Sequence, residues 1–381
     1  MFARRTEWEL GKNPLTLAID RFRLDNRELL DLTSSNPTAC GIAYDEAAIL
    51  RALSKPESLS YDPQVFGSLR AREVIASLYA LDPERLMLTA STSEAYSYLF
   101  RLSCDAGDEV LVPRPSYPLF EMLAQVNDVV LRGYDLFYDH GWFIDFTSLR
   151  AAISSRTRAV ILVNPNNPTG SYVSETQARE LEELCEHHRL SVISDEVFFE
   201  YALSEDADRV SWAQRDRVLG FTLAGLSKTA ALPQMKLAWT AVNGPSALVT
   251  DALARLEVIA DTFLSVSAPV QHGIAELLAT APEMQRKIRE RCFANLTLLR
   301  ETCAESPVTP LRTDGGWSAV LRIPSLGSDE DFAIQLLEKH GVLVHPGHFY
   351  DFRREGYVVV SLLTPTETLR EGMRRLIRSI P

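Results

Sequence analysis

Ala159-Val160-Ile161-Leu162-Val163 is a run of apolar residues, and Asn164-Pro165-Asn166-Asn167-Pro168-Thr169-Gly170 follows it at once. A short apolar run closed by a turn signal reads as a strand buried on both faces. Two prolines and a terminal glycine fix the turn. Asn167, between the prolines, presents its amide just beyond the strand's carboxyl end.

Similar apolar runs recur on either side, at 85–89, 109–113, 191–194, 218–223 and 237–242. Between two of them, 174–185 has helical period. It places Leu181, Leu184 and His188 on one side and Glu182, Glu183 and Glu186 on another. Strand and helix in alternation imply an α/β fold with a mostly parallel, doubly wound sheet. After about residue 245 the pattern changes. Helices are predicted at 247–259 and 283–302, and strands at 317–323, 341–345 and 357–363. Residues 1–44 are too few for a core of their own and are expected to pack against this second unit. The expected domains are therefore 45–284, large, and 1–44 with 285–381, small.

The 381 residues carry 39 basic and 51 acidic side chains, net −12. An acidic chain lacks the basic stripe that nucleic acid demands and the polybasic segment of a membrane anchor. No apolar run approaches the ~20 residues of a bilayer span. The five scattered cysteines, with no C-x-x-C, read as reduced thiols of a cytoplasmic protein. His187-His188 and His345-x-x-His348 lack a supporting ligand set, so no metal is expected.

Ligands of open α/β sheets lie beyond the carboxyl ends of the strands. Four signals stand there in chain order. After 85–89 comes Ala90-Ser91-Thr92-Ser93, small hydroxyl residues opening a helix, which suits either a plain N-cap or a phosphate site. After 159–163 comes Asn167. After 191–194 comes Asp195, a carboxylate whose burial demands a cation such as a pyridinium. After 218–223 comes Lys228, beside small residues; burial lowers a lysine's pKa and makes it nucleophilic.

This ordered set, with Tyr61-x5-Gly67-x-Leu69-Arg70, Gly107-Asp108-Glu109-Val110, Pro115-Ser116-Tyr117-Pro118 and Leu32-Thr33-Ser34-Ser35-Asn36-Pro37, resembles the fold-type I, pyridoxal-phosphate-dependent aminotransferases of class I/II. The resemblance spans nearly the whole chain. It implies a seven-stranded large sheet and a homodimer with shared sites, moving an amino group from an amino acid or amine to a keto acid. Lys228 would carry pyridoxal 5'-phosphate as an imine and shuttle the proton. Asp195 would bind the ring nitrogen, Asn167 the ring's 3′ oxygen, and Tyr117 would stack on the ring. Ser91, Thr92, Ser93 and Lys236 would hold the phosphate, and Tyr61 would reach the neighbouring subunit's phosphate. Asn36 and Trp317 are candidate substrate contacts, with 345–350 lining the pocket. A lyase or decarboxylase on the same scaffold, and a coenzyme-binding sensor domain, are the rival expectations.

Three positions depart from the family pattern. Phe198 stands where a tyrosine is usual. Its missing hydroxyl implies that the coenzyme–lysine imine stays protonated at neutral pH, which a spectrophotometric titration checks. Lys236 stands where an arginine is usual, a point charge without the guanidinium fork. Val359, in Gly356-Tyr357-Val358-Val359-Val360-Ser361, stands where an arginine usually clamps the substrate α-carboxylate. Either another cation takes over (Arg21, Arg23, Arg70, Arg322 and Arg353 are candidates), or the donor has no α-carboxylate, or the clamp lies elsewhere.

Overall fold

A computed structural model describes every residue of the chain except Asp206 and Leu326. Among the described residues, eight strands form the large sheet. Their order in space is Leu86–Thr89, Ala238–Asn243, Gly220–Gly225, Ser191–Asp195, Thr157–Val163, Glu109–Arg114, Val130–Tyr138, Trp142–Ile144. The five from Gly220–Gly225 to Val130–Tyr138 run parallel. Ala238–Asn243 is antiparallel to both neighbours. The sheet has one strand more than the seven expected. The difference lies at one edge, where Trp142–Ile144 folds back antiparallel on Val130–Tyr138.

Alternation along each inner strand explains the layers. Val110 and Val112 turn to one face, with Ala159 and Ile161, under the helices Thr92–Ser103 and Ser246–Asp261. Leu111, Val160 and Leu162 turn to the other face, under the helix Glu175–His188. Each valine, leucine or isoleucine among them, taken out of water, contributes about 1.5–3 kcal/mol before chain entropy is set against it. The helix Glu175–His188 departs from its expected faces at two positions. Glu182 is buried, because Arg215 Nη2 donates to its carboxylate at 2.5 Å. His188 is exposed.

The second unit is built on an antiparallel sheet ordered Thr309–Pro310, Ser318–Arg322, Tyr357–Ser361, His345–Pro346. The predicted strand 341–345 divides in two. Val342–Leu343 leaves this sheet and pairs in parallel with Leu30–Asp31 of the N-terminal segment. The helix Pro14–Leu24 packs on Asp329–His340, so residues before 44 share this unit's core, with Leu15, Phe22, Leu336 and Leu337 buried together. The long helix Ala281–Cys303 runs through the expected boundary at 284/285. From its middle, the fully buried Asn295 donates from Nδ2 to the Leu362 and Thr364 carbonyls, both at 2.8 Å. That bond pair ties the helix to the chain leaving Tyr357–Ser361.

Candidate active site

A cavity of about 520 Å³ opens at the carboxyl ends of the parallel strands, roofed by the second unit. Ser91, Thr92, Ser93, Tyr117, Asn167, Asp195, Lys228, Lys236 and Trp317 all line it. Residues spread over 227 positions of sequence are thus gathered by one sheet edge, as the topology requires.

Ser91 caps the helix Thr92–Ser103, its Oγ accepting from the Glu94 amide at 3.2 Å. The first amides of that helix have no acceptor inside it and face an anion naturally. Lys236, exposed and in a left-handed backbone conformation (φ 52°), adds a cation to the lining. Asn167 sits in the turn whose last residue, Gly170, has φ 71°. A Cβ there would run into the Gly315 carbonyl oxygen. The turn therefore docks directly on the second unit, and Ser318 Oγ of that unit donates to Asn167 Oδ1 at 3.4 Å.

Asp195 ends its strand 8% exposed. Burial raises its carboxyl to about 6; the Val197 amide at 3.2 Å, the Tyr96 hydroxyl at 3.1 Å and the nearby Lys228 charge pull it back down. Tyr96 Oη donates to Oδ2, the amide to Oδ1. Lys228 lies on the short helix Leu226–Thr229, immediately after the strand Gly220–Gly225. Burial lowers its amine to about 8, against the opposing pull of Asp195. Its Nζ stands 4.8 Å from the Trp317 ring centre and 5.2 Å from that of Phe198. Tyr201 Oη fixes the backbone beneath it, donating to the Lys228 carbonyl at 2.6 Å.

Asn36 is not brought here, and Tyr61, expected at a neighbouring subunit's phosphate, also lies outside this cavity. Tyr61 is 86% exposed and lines a separate groove with Tyr98, Leu264 and Gln271. Asn36 turns into its own loop, where Oδ1 accepts from the Thr38 amide at 3.0 Å and hydroxyl at 2.8 Å. Its neighbours Thr33 and Ser35 line the cavity instead. Of the segment 345–350, His345, Phe349 and Tyr350 line it. Tyr96 was not legible in sequence. It lies one turn into the helix, 99 residues from the carboxylate it meets, and an inward tyrosine reads as core.

None of the five candidate arginines lines the cavity. Arg21 pairs with Glu338 at 3.3 Å and Arg353 with Asp135 at 2.8 Å. Arg322 and Arg353 line another cavity, with Arg114, Asp135 and Tyr357. Arg23 and Arg70 are exposed.

A buried carboxylate facing a depressed lysine, with an anion cup and a second cation, is a donor set that fits pyridoxal phosphate. Residues 28–376 match the family described as aminotransferase class I and II. The chain belongs to that family. It is a pyridoxal-phosphate-dependent aminotransferase. It is similar to the arginine–pyruvate transaminase AruH of Pseudomonas aeruginosa, 34% identical over 310 residues, covering 78% of this chain and 75% of that protein. It is similar to the alanine aminotransferase of Mycobacterium tuberculosis, 26% identical over 96% of this chain and 88% of that one. The alanine aminotransferase of Pyrococcus furiosus superposes with a TM-score of 0.90 at 21% identity, over 100% of this chain and 99% of that one. These likenesses give the lyase alternative no support.

Proposed function

We propose that Lys228 is the residue that carries the coenzyme and moves the substrate proton. Bound pyridoxal phosphate supplies an electron sink that lets an amino group pass from donor to carbonyl acceptor. Asp195, held on both oxygens by Tyr96 and the Val197 amide, keeps a proton on the ring nitrogen. Asn167 binds the ring's 3′ oxygen, and Tyr117, 42% exposed at the cavity wall, covers the ring. Ser91, Thr92, Ser93 and Lys236 hold the phosphate. The amine of Lys228, lowered to about 8, is nucleophilic near neutral pH and takes a proton back without a large penalty.

The observation that carries this reading is the single cavity holding Lys228 and Asp195 together between the anion cup and the second unit. Residues 45–284 bind the coenzyme, and 1–44 with 285–381 close over it. Exposed Tyr61 serves the cavity of a second copy, so the working form is a homodimer. Five free cysteines, four of them buried, suit a reducing cytoplasm. No helix among the described residues is long and apolar enough to cross a membrane.

Borohydride reduction of the coenzyme-loaded protein, followed by peptide mass mapping, tests the assignment. The coenzyme mass is expected on the peptide holding Lys228 and absent in Lys228→Ala. Attachment to any other lysine overturns it.

A further inference from the structure

Val359 sits in the middle of the strand Tyr357–Ser361, between Val320 on one neighbouring strand and His345 on the other. Val358 and Val360 pack in the second unit's core, whereas Val359 lies on the opposite face, buried beside Trp142, Leu311 and Val320 where that face meets the cavity wall. The residue type at this position therefore decides what charge the second unit offers a substrate. Among the described residues lining the cavity, the only cationic side chains are Lys228 and Lys236, and the coenzyme engages both.

Val359 itself is buried against Trp142, Leu311 and Val320, and the polar groups of the cavity wall next to it carry no charge. His345, its cross-strand partner, lines the cavity with its ring centre 5.8 Å from Phe349 and 5.9 Å from Tyr350. Among the described residues its imidazole has no hydrogen-bond partner. Burial holds it below the usual histidine range, with Asp31 pulling the other way, so it is a neutral donor and acceptor. Ser318 and Ser361, themselves a cross-strand pair two residues along, add hydroxyls beside it, as does Thr33.

We propose that this pocket selects amino donors carrying a neutral polar group, an amide or an alcohol, where an amino acid carries its free α-carboxylate, and that His345 is the residue that recognises it. A carboxylate placed against Val359 loses its water and finds no cation, which is costly. An amide or hydroxyl placed there finds an unpartnered imidazole and several hydroxyls. Sites built to hydrogen-bond a group discriminate strongly on that group. The carbonyl acceptor enters the same pocket and meets the same selection. The inference rests on the coenzyme reading above and narrows it.

The test uses the coenzyme-loaded protein with no acceptor. L-Phenylalanine, L-phenylalaninamide and L-phenylalaninol are compared by single-turnover absorbance change, with product mass read in parallel; the phenyl group matches the walls formed by Phe198, Trp317, Phe349 and Tyr350. The amide and alcohol are expected to react at least about tenfold more efficiently than the amino acid, the loss that goes with one missing charge-assisted contact. Val359→Arg should reverse that order. His345→Leu should weaken the neutral donors about tenfold in apparent KM, and His345→Gln should restore them. Equal or better reaction with L-phenylalanine in the wild-type protein overturns the proposal, as does failure of all three donors while the coenzyme is bound. Failure of the coenzyme to attach to Lys228 overturns the earlier reading instead, and borohydride trapping tells the two apart.

Discussion

The amine of Lys228 owes its reactivity to burial, and a charge placed beside it should undo that. With its amine at about 8, about one Lys228 in eleven is neutral at pH 7, against about one in three thousand for an unperturbed lysine. The Phe198 ring centre lies 5.2 Å from Nζ. A carboxylate there, in Phe198→Glu, attracts the ammonium by about 3 kcal/mol at an effective dielectric of about 20, which already allows for solvent. At 1.36 kcal/mol per unit this returns the amine to about 10. The neutral fraction at pH 7 then falls about a hundredfold. Trace labelling of the coenzyme-free protein with acetic anhydride, read on the Lys228 peptide by mass spectrometry, measures it. Because only the neutral amine reacts, the rate should rise tenfold per pH unit and level off above about 8 in the wild type. The plateau should begin about two units higher in Phe198→Glu. Phe198→Gln, polar but uncharged, should keep the wild-type midpoint. Equal midpoints in the two variants would refute the reasoning, since a carboxylate at this distance cannot be invisible to a half-buried amine.

Two further outcomes follow from single hydrogen bonds. Tyr96→Phe removes one of the two donors on Asp195; bonds to charged groups contribute about 1.5–3 kcal/mol, so coenzyme affinity, measured by titrating the coenzyme-free protein, should fall about ten- to hundredfold, and an unchanged affinity would show that the phenol is only packing. Asn295→Ala strips partners from the Leu362 and Thr364 carbonyls in a fully buried place and should cost about 2–5 kcal/mol in guanidinium unfolding; a loss below about 1 kcal/mol would mean that water replaces the amide.

The elements legible in the sequence are those whose burial is uniform. Thr157–Val163 and Ser191–Asp195 are buried almost throughout, so their apolar runs stand out without any alignment. Val130–Tyr138 did not stand out. It lies near the sheet edge with only Tyr134 buried, and Arg132 and Asp135 break its pattern. The same contrast holds in the site. Asp195 ends a strand, and Asn167 and Lys228 follow one within a short turn, so chain order alone points at them. Tyr96 owes its place to tertiary packing, and His345, expected at the pocket, owes its pairing with Val359 to tertiary register. His345 opposes Val359 only because two short strands pair antiparallel at that offset, and a one-residue slip would turn it away from the cavity. The predicted continuous strand 341–345 hid that offset.

The valine at 359 and the aromatic walls belong to one electrostatic arrangement. A guanidinium near Lys228 would itself lower the lysine, because like charges disfavour each other. Here that help is absent, and Asp195 pulls the amine upward. Desolvation alone does the lowering, and the Trp317 and Phe198 rings beside Nζ help to supply it. Val359→Arg should therefore act twice. It should admit free α-carboxylates, and it should move the Lys228 labelling midpoint below about 8, by repulsion added to burial. The second effect needs neither coenzyme nor donor. If the midpoint falls while donor preference stays, the guanidinium has reached the cavity but not the substrate. If neither moves, the side chain has turned away into the apolar cluster of Trp142, Leu311 and Val320, and Val359 faces that cluster more than it faces the donor.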